Sequence, residues 1–420
     1  MDALILSCST GGGHNSAARA MVKELSGRGW NVTFFDPYTL RSQRMSDTVG
    51  QTYVNIVKFS PAAFGGIYRI GQIYQKAEKA FGLPDPVLLV QKKTAIALYE
   101  YLQKNPVDLI LCSHPYPGLM LTWLKDHGYS VPPCMMIPTD YTCIPFESDV
   151  QTDWMSIPHP DLQTAFHKEG VAYSRMLPLG IPVDSKFDER IPKAQAARAL
   201  GLPPGRRYIL IGGGSMGING IWPILRSLRP LIDTDDSLHL LVLTGSNKSI
   251  YRKIEALQDP AISPVPFTRN MFEYLQLASL YITKPGGLSI TEAAAAGVPL
   301  LLCYAIPGCE TENAKFFEER GFALYARSAD EIPGLASRLL TEEKTLVNAP
   351  RDPFFSHISA RFGDWCDLAA SLNAKDFDKA DDTPIRTLEA KKPAPRRTHR
   401  RAGRRVRHFR SALLERMNRN

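Results

Sequence analysis

The chain has 420 residues and a net charge of +8, but from Pro384 onward thirteen basic residues face two acidic ones, a local +11 that leaves the preceding stretch at −3. With 44% hydrophobic and 22% charged residues it is an ordinary folded chain, which excludes a fibre or a wholly disordered protein. No apolar run approaches the ~18 residues of a membrane span, the first residues read as a strand without the basic start of a signal peptide, and seven scattered cysteines without C-x-x-C spacing point to reduced thiols in a cytosolic setting and not to a zinc site.

Ala3–Cys8 is the first predicted strand. The Gly-rich Ser9-Thr10-Gly11-Gly12-Gly13-His14 follows, and then an Ala-rich helix from about Asn15 to Ser26. Such a strand–glycine–helix unit brings backbone N–H groups close to an anion or a sugar, with Gly13 at the point of approach. A tight turn accounts for the glycines, but not for a histidine directly after them. Asp36 closes the second strand, Trp30–Asp36, where a dinucleotide fold places its ribose carboxylate; Ser16 replaces the third glycine of G-x-G-x-x-G, so that reading is weak. Residues 40–95 are predicted helical and mix aromatics with bases, notably Phe59, Phe64 and Tyr68. Those rings suit either a membrane-facing lip or packing against the domain's own sheet. Strands at Asp108–Ser113 and Pro133–Ile137 put Ser113-His114-Pro115 and Thr139-Asp140-Tyr141 at strand carboxyl ends, where His114 and Asp140 suit either a turn cap or a cleft.

A turn-rich boundary spans Pro182–Leu202, and the α/β rhythm then restarts. Strands are predicted at Tyr208–Ile211, Leu238–Thr244, Leu280–Lys284 and Pro299–Tyr304. The glycine-dense loop after the first of these contains Gly214 and Ser215 and lacks the Gly-Lys-Ser/Thr of a Walker loop. Lys284-Pro285-Gly286-Gly287-Leu288-Ser289 leads into a helix whose free N–H groups and dipole suit a diphosphate. Glu292, one turn further on, and Glu310, at the next helix start, suit either hydroxyl recognition or helix-start electrostatics. Asp233 and Asp235 read as a solvated turn, so no metal is implied. The expected class is α/β, with two Rossmann-like domains facing across a cleft. The expected spans are 1–185 for the first domain, 186–350 for the second, 351–375 for a helical segment, and 376–420 for a linker and basic tail. Within the tail Val406, Phe409 and Leu413 fall on one helical face flanked by arginines, the pattern of an interfacial helix on an anionic membrane surface. A solvated charge run and a nucleic-acid contact are the alternatives. Phe409 is the tail's single aromatic, which disfavours stacking on single strands.

In combination these motifs resemble a known family. Gly11-Gly12-Gly13-His14-Asn15-Ser16-Ala17, Ser113-His114-Pro115 and Thr139-Asp140-Tyr141 are similar to the N-terminal domain of monogalactosyldiacylglycerol synthases and processive diacylglycerol glucosyltransferases. Thr283-Lys284-Pro285-Gly286-Gly287 through Glu292, with Gly297-Val298-Pro299, resembles the donor domain that these share with the peptidoglycan N-acetylglucosaminyltransferase. The resemblance implies a GT-B fold and an inverting, metal-independent hexose transfer. The donor is a UDP-sugar acting as co-substrate, with no cofactor, and the acceptor is diacylglycerol or a glycolipid. It implies His14 as base with Asp140 as second choice. Pro285, Gly286, Gly287, Leu288 and Ser289 would meet the diphosphate, with Gly13, Gly214 and Ser215 also on the donor side. Glu292 would hold the ribose, Phe267, Thr268 and Met271 the uracil side, and Glu310 and Asn313 the sugar. Two positions depart from the pattern: Cys309 stands where relatives carry Gln, and Thr142-Cys143-Ile144-Pro145 lacks a histidine that several relatives have. N-acetylglucosamine transfer to a polyprenyl lipid or a soluble acceptor, and a non-catalytic UDP-sugar sensor, remain the other readings. The expected location is cytoplasmic, at the inner face of the cell membrane.

Overall fold

The computed structural model describes residues 1–8, 12–59, 86–212, 220–341 and 352–371, with 52–59 and 86–90 described as backbone alone. The first sheet contains β1 Asp2–Leu6, β2 Asn31–Phe35, β3 Leu109–Cys112, β4 Cys134–Met136, β5 Trp154–Ser156 and β6 Met176–Leu177. All pairings are parallel, in the order β2-β1-β3-β4-β5-β6. The second holds β7 Arg207–Gly212, β8 Leu238–Gly245, β9 Ile262–Pro266, β10 Ala278–Thr283, β11 Leu300–Leu302 and β12 Leu324–Tyr325. It is also parallel, in the order β12-β11-β10-β7-β8-β9.

Helices on both faces bury these strands, which is why they read as unbroken apolar runs. In β7, Tyr208 and Leu210 join one core and Ile209 and Ile211 the other, as the two-residue period requires. The first of these cores is continuous through both sheets, from Leu4 and Leu111 to Ile290, Phe316 and Phe317. The predicted strands are present, most of them shifted by a residue or two at their ends. Four short strands, β5, β6, β9 and β12, were not predicted. The first helix begins at Gly12, so Gly13 and His14 lie in its first turn and not in a loop before it.

Strand order locates the crevices. In the first sheet the chain winds outward from β1 to β2 and then reverses to β3. In the second it winds from β7 through β9 and reverses to β10. Open parallel sheets bind ligands beyond the carboxyl ends of the strands at such reversals. His14 follows β1 and Ser113 follows β3, while Lys284-Pro285-Gly286 follows β10, beside the end of β7.

After the second sheet, the helix Ile358–Ala370 returns to the first helix, Gly12–Gly27. The Arg28 guanidinium bridges Glu24, Asp364 and Asp367, and the Trp30 indole N–H donates to Asp367 at 2.8 Å. Trp365 packs edge-on against Trp154 at 4.9 Å. The carboxylates at 36, 233 and 235 take structural roles. Asp36 accepts from Tyr38 N and Ser46 Oγ and so caps the turn after β2. Asp233 and Asp235 pair with Arg229 and Arg207.

Candidate functional site

His14 is tied down by one ring nitrogen. Its Nδ1 lies 2.7 Å from the Ser113 carbonyl oxygen, and Thr139 Oγ1 lies 2.9 Å from the same nitrogen. A carbonyl can only accept, so Nδ1 carries the hydrogen and Nε2 keeps its lone pair. Among the described residues Nε2 has no hydrogen-bond partner. Burial lowers the His14 pKa, and the Asp140 carboxylate partly offsets this. The ring is therefore a neutral base at neutral pH. His114 packs edge-on against it at 4.6 Å and caps the helix Pro115–Asp126 by accepting from Tyr116 N. Burial and the neighbouring His14 hold His114 well below the usual imidazole value.

Across the cleft stands the helix Gly287–Ala296. No side chain caps it, and among the described residues nothing accepts from the backbone N–H groups of Gly287, Leu288 and Ser289. Such an end carries a partial positive charge and suits an anion. It lies close to the first domain: a Cβ placed on Gly13 would sit 3.8 Å from Leu288 Cβ, and a Cβ on Gly287 would collide with the Thr139 carbonyl oxygen. Gly287 thus serves the close approach of the two domains.

A hydrogen-bond network centred on Asn313 crosses the seam. Asn313 has no exposed surface. Its amide nitrogen donates to Asp140 Oδ1 at 2.7 Å and to the Pro285 carbonyl at 3.0 Å, and its Oδ1 accepts from Tyr141 N at 2.6 Å. The Tyr141 hydroxyl meets Thr291 Oγ1 at 2.7 Å, and that hydroxyl in turn donates to the Gly287 carbonyl. The Tyr141 ring stacks on Phe316 at 5.2 Å.

Glu310, almost fully buried, pairs with Lys284 and accepts from Ile306 N at 3.0 Å. Glu292 has no hydrogen bond among the described residues. Burial pushes its carboxyl up to about 8, with Lys186 pulling down and Asp184 pushing up. By exposed surface the residue is only half-buried, and a perturbed group of this kind beside a helix start is a candidate ligand contact. The sign of its linkage gives a test. Between an unfolded value near 4.5 and a folded value near 8 the unfolded chain gives up this proton more readily, so stability is lost as pH rises through that window. Glu292→Gln is expected to melt a few degrees above wild type at pH 8, on the order of 1 kcal/mol, and to converge with it near pH 4.5. Parallel melting curves across that range would show that the carboxyl is not desolvated.

Phe267 is 63% exposed in the loop after β9, Thr268 Oγ1 accepts from Asn270 N at 3.0 Å, and Met271 opens the next helix. Gly214, Ser215, Phe64, Tyr68, Val406, Phe409 and Leu413 lie outside the described residues, and of Phe59 only the backbone is described, at the end of the helix Gln43–Phe59. Thus His14, Asp140, Gly13, Leu288, Gly287, Pro285, Glu310 and Asn313 are brought together. Thr139, Tyr141, Thr291 and Lys284 belong to the same cluster, although sequence reasoning gave them no role of their own. Their signal was adjacency, since all four lie inside motifs already singled out.

This arrangement has counterparts among known proteins. Residues 14–183 match the model of the monogalactosyldiacylglycerol (MGDG) synthase family, and residues 208–350 that of the glycosyltransferase family 28 C-terminal domain. A processive diacylglycerol beta-glucosyltransferase of Bacillus licheniformis is 26% identical over 364 residues, covering 85% of this chain and 91% of the relative. That of Bacillus subtilis is 24% identical over 351 residues, covering 82% and 88%. Acinetobacter baumannii MurG aligns with a TM-score of 0.55 at 15% identity, over 87% of this chain and 99% of that one. Staphylococcus aureus MnaA, solved with UDP, aligns at 0.58 and 12%, over 89% and 98%. The two facing parallel sheets are therefore a GT-B architecture, in which a region matching the MGDG synthase family is followed by a glycosyltransferase family 28 C-terminal domain.

Proposed function

We propose that this protein transfers a hexose from a UDP-sugar to diacylglycerol, or to a glycosyldiacylglycerol, at an anionic membrane surface, with inversion and without a metal. The supporting observation is the pairing of His14, its Nε2 unpartnered, with the uncapped helix end at Gly287 across the cleft. His14 Nε2 takes the proton of the acceptor hydroxyl as its oxygen attacks the sugar C1. The C1–O bond to the diphosphate breaks on the opposite face, and UDP leaves with the bonding pair. Its charge is met by the N–H groups of Gly287, Leu288 and Ser289 and by the helix dipole. Glu292 receives the ribose hydroxyls, Glu310 the sugar, and the loop Phe267–Met271 the base. The relatives named as processive glucosyltransferases favour glucose. Purified protein, diacylglycerol vesicles and labelled UDP-glucose, UDP-galactose or UDP-N-acetylglucosamine, with the lipid product resolved, test the reading. A labelled hexosyl-diacylglycerol supports it. Transfer of N-acetylglucosamine alone, or UDP-sugar binding without any transfer, would refute it.

Among the described residues no helix is long and apolar enough to cross a membrane, so a lipid acceptor demands another means of approach. The basic tail supplies one, at about 1 kcal/mol per base near an anionic leaflet. Removing 384–420 is expected to weaken sedimentation with anionic vesicles at least tenfold while leaving UDP affinity unchanged; the wild-type binding should also fall steeply with salt. Equal sedimentation of the shortened chain would remove the tail from this role.

A further inference from the structure

We propose that Asn313 is a positioning residue through which the second domain holds Asp140 beside His14, so that the base of one domain is set by contact with the other. This rests on the transferase reading only for the role given to His14.

Asn313 sits on the helix Cys309–Glu319 of the second domain, and two of its three hydrogen bonds cross to the first, to Asp140 and to Tyr141 N. The third, to the Pro285 carbonyl, fixes the amide to the loop ahead of the diphosphate-facing helix. The amide orientation is thereby forced: two acceptors face its nitrogen and one donor faces its oxygen. With both N–H groups engaged and no exposed surface, the side chain has no donor left for a ligand in this arrangement.

Thr139, Asp140 and Tyr141 form a lever with its two ends fixed in different domains. Thr139 Oγ1 contacts His14, while Tyr141 is locked to Thr291 and Phe316 of the second domain. Asp140 lies between them, and Asn313 grips its carboxylate. If the domains separate, Asp140 loses this partner and its placement near His14.

The groups around this point leave Asp140 as the anionic neighbour that acts on His14. His114 packs edge-on against the ring. Cys309 and Glu147 face Asp140, and burial pushes both of them up, which suppresses their charge. Glu147 spends one oxygen on Ile144 N at 3.1 Å, and Glu310 is neutralised by Lys284.

The test uses the full chain as wild type, Asn313→Ala, Asp140→Asn and the double variant. Histidine-selective NMR titration follows His14, whose signal is the one lost in His14→Ala. Removing an anionic neighbour lowers a histidine's proton affinity. Asp140→Asn is therefore expected to lower the His14 midpoint by about half a unit or more, Asn313→Ala to move it the same way, and the double variant to match Asp140→Asn. An unmoved midpoint in Asn313→Ala, or additive shifts in the double variant, overturns the proposal. If Asn313→Ala does not fold, Asn313→Ser, which keeps a small polar group, takes its place under the same criteria.

Kinetics add a second readout. Asn313→Ala is expected to lower kcat about tenfold, with KM for the UDP-sugar within about threefold. A raised KM at unchanged kcat would identify a donor-sugar contact instead and overturn the positioning role. The titration needs no turnover, so a wild type that transfers no hexose defeats the transferase reading while the titration still decides this one.

Discussion

His14→Ala is expected to lower kcat about a thousandfold, the middle to upper range for a lost general base, and to leave UDP affinity within about threefold of wild type. The separation follows from where the side chain sits. His14 is bound to Ser113 and Thr139 of its own domain, and in the proposed reaction it acts on the acceptor hydroxyl. The groups assigned to UDP lie on the other domain, at Gly287–Ser289 and Glu292. The pH profile carries a sign. Burial lowers the His14 pKa, so the acid limb of wild-type kcat/KM should fall below the ordinary imidazole value near 6.5, and it should disappear in the variant, whose residual rate no longer depends on this proton. Added imidazole restores part of the rate if the defect is a missing base. Wild-type kcat in His14→Ala would transfer the role to Asp140. A large loss of UDP affinity with kcat intact would place His14 on the donor instead.

What the sequence disclosed, and what it hid, divides along physical lines. The strands buried on both faces were legible because they are continuous apolar runs: Ala3–Leu6, Leu109–Cys112, Ile209–Ile211 and Leu300–Leu302 are essentially without exposed surface. The strands that were missed have identifiable reasons. β6 and β12 are two residues long and carry no periodicity. β9 contains Pro264 and Pro266, which argue against a strand, yet it lies at the sheet edge, where a missing N–H is tolerated. The loops at strand carboxyl ends were legible as chemistry, since glycine followed by a helix start has few other uses. The seam was not. Asn313 and Asp140 are 173 positions apart, and nothing local to either announces that one grips the other. Asn313 read alone is a polar residue at a helix start, and only the fold shows its amide engaged on both sides. The return of Ile358–Ala370 to the first domain was hidden for the same reason, because Arg28 and its partners Asp364 and Asp367 look like surface charges until they are paired.

Gly287→Ala is the smallest change expected to disrupt the whole site. A Cβ there would run into the Thr139 carbonyl oxygen, with Thr139 C at 3.0 Å and Asp140 Cα at 3.2 Å behind it. These are backbone atoms, and they cannot swing aside as a flexible side chain would. Nor can the segment easily retreat: Tyr141 N is bonded to Asn313, the Tyr141 hydroxyl to Thr291, and its ring is stacked on Phe316. Relief therefore requires the two domains to shift by something near an ångström, enough to cost about a hundredfold when it separates a base from its reacting centre. We expect kcat/KM to fall at least a hundredfold and stability to fall by about 1–3 kcal/mol, the usual range for overpacking. Gly334→Ala is the control. It lies inside the helix Ile332–Thr341 with nothing within 4 Å of a new Cβ, so the same substitution should raise stability by up to about 1 kcal/mol and leave turnover alone. Thermal melts and initial rates of the two variants separate the effects. A Gly287→Ala protein with wild-type rate and melting temperature would mean that the domains do not meet at Thr139 during turnover, and the geometry of the base would then have to be set in some other way.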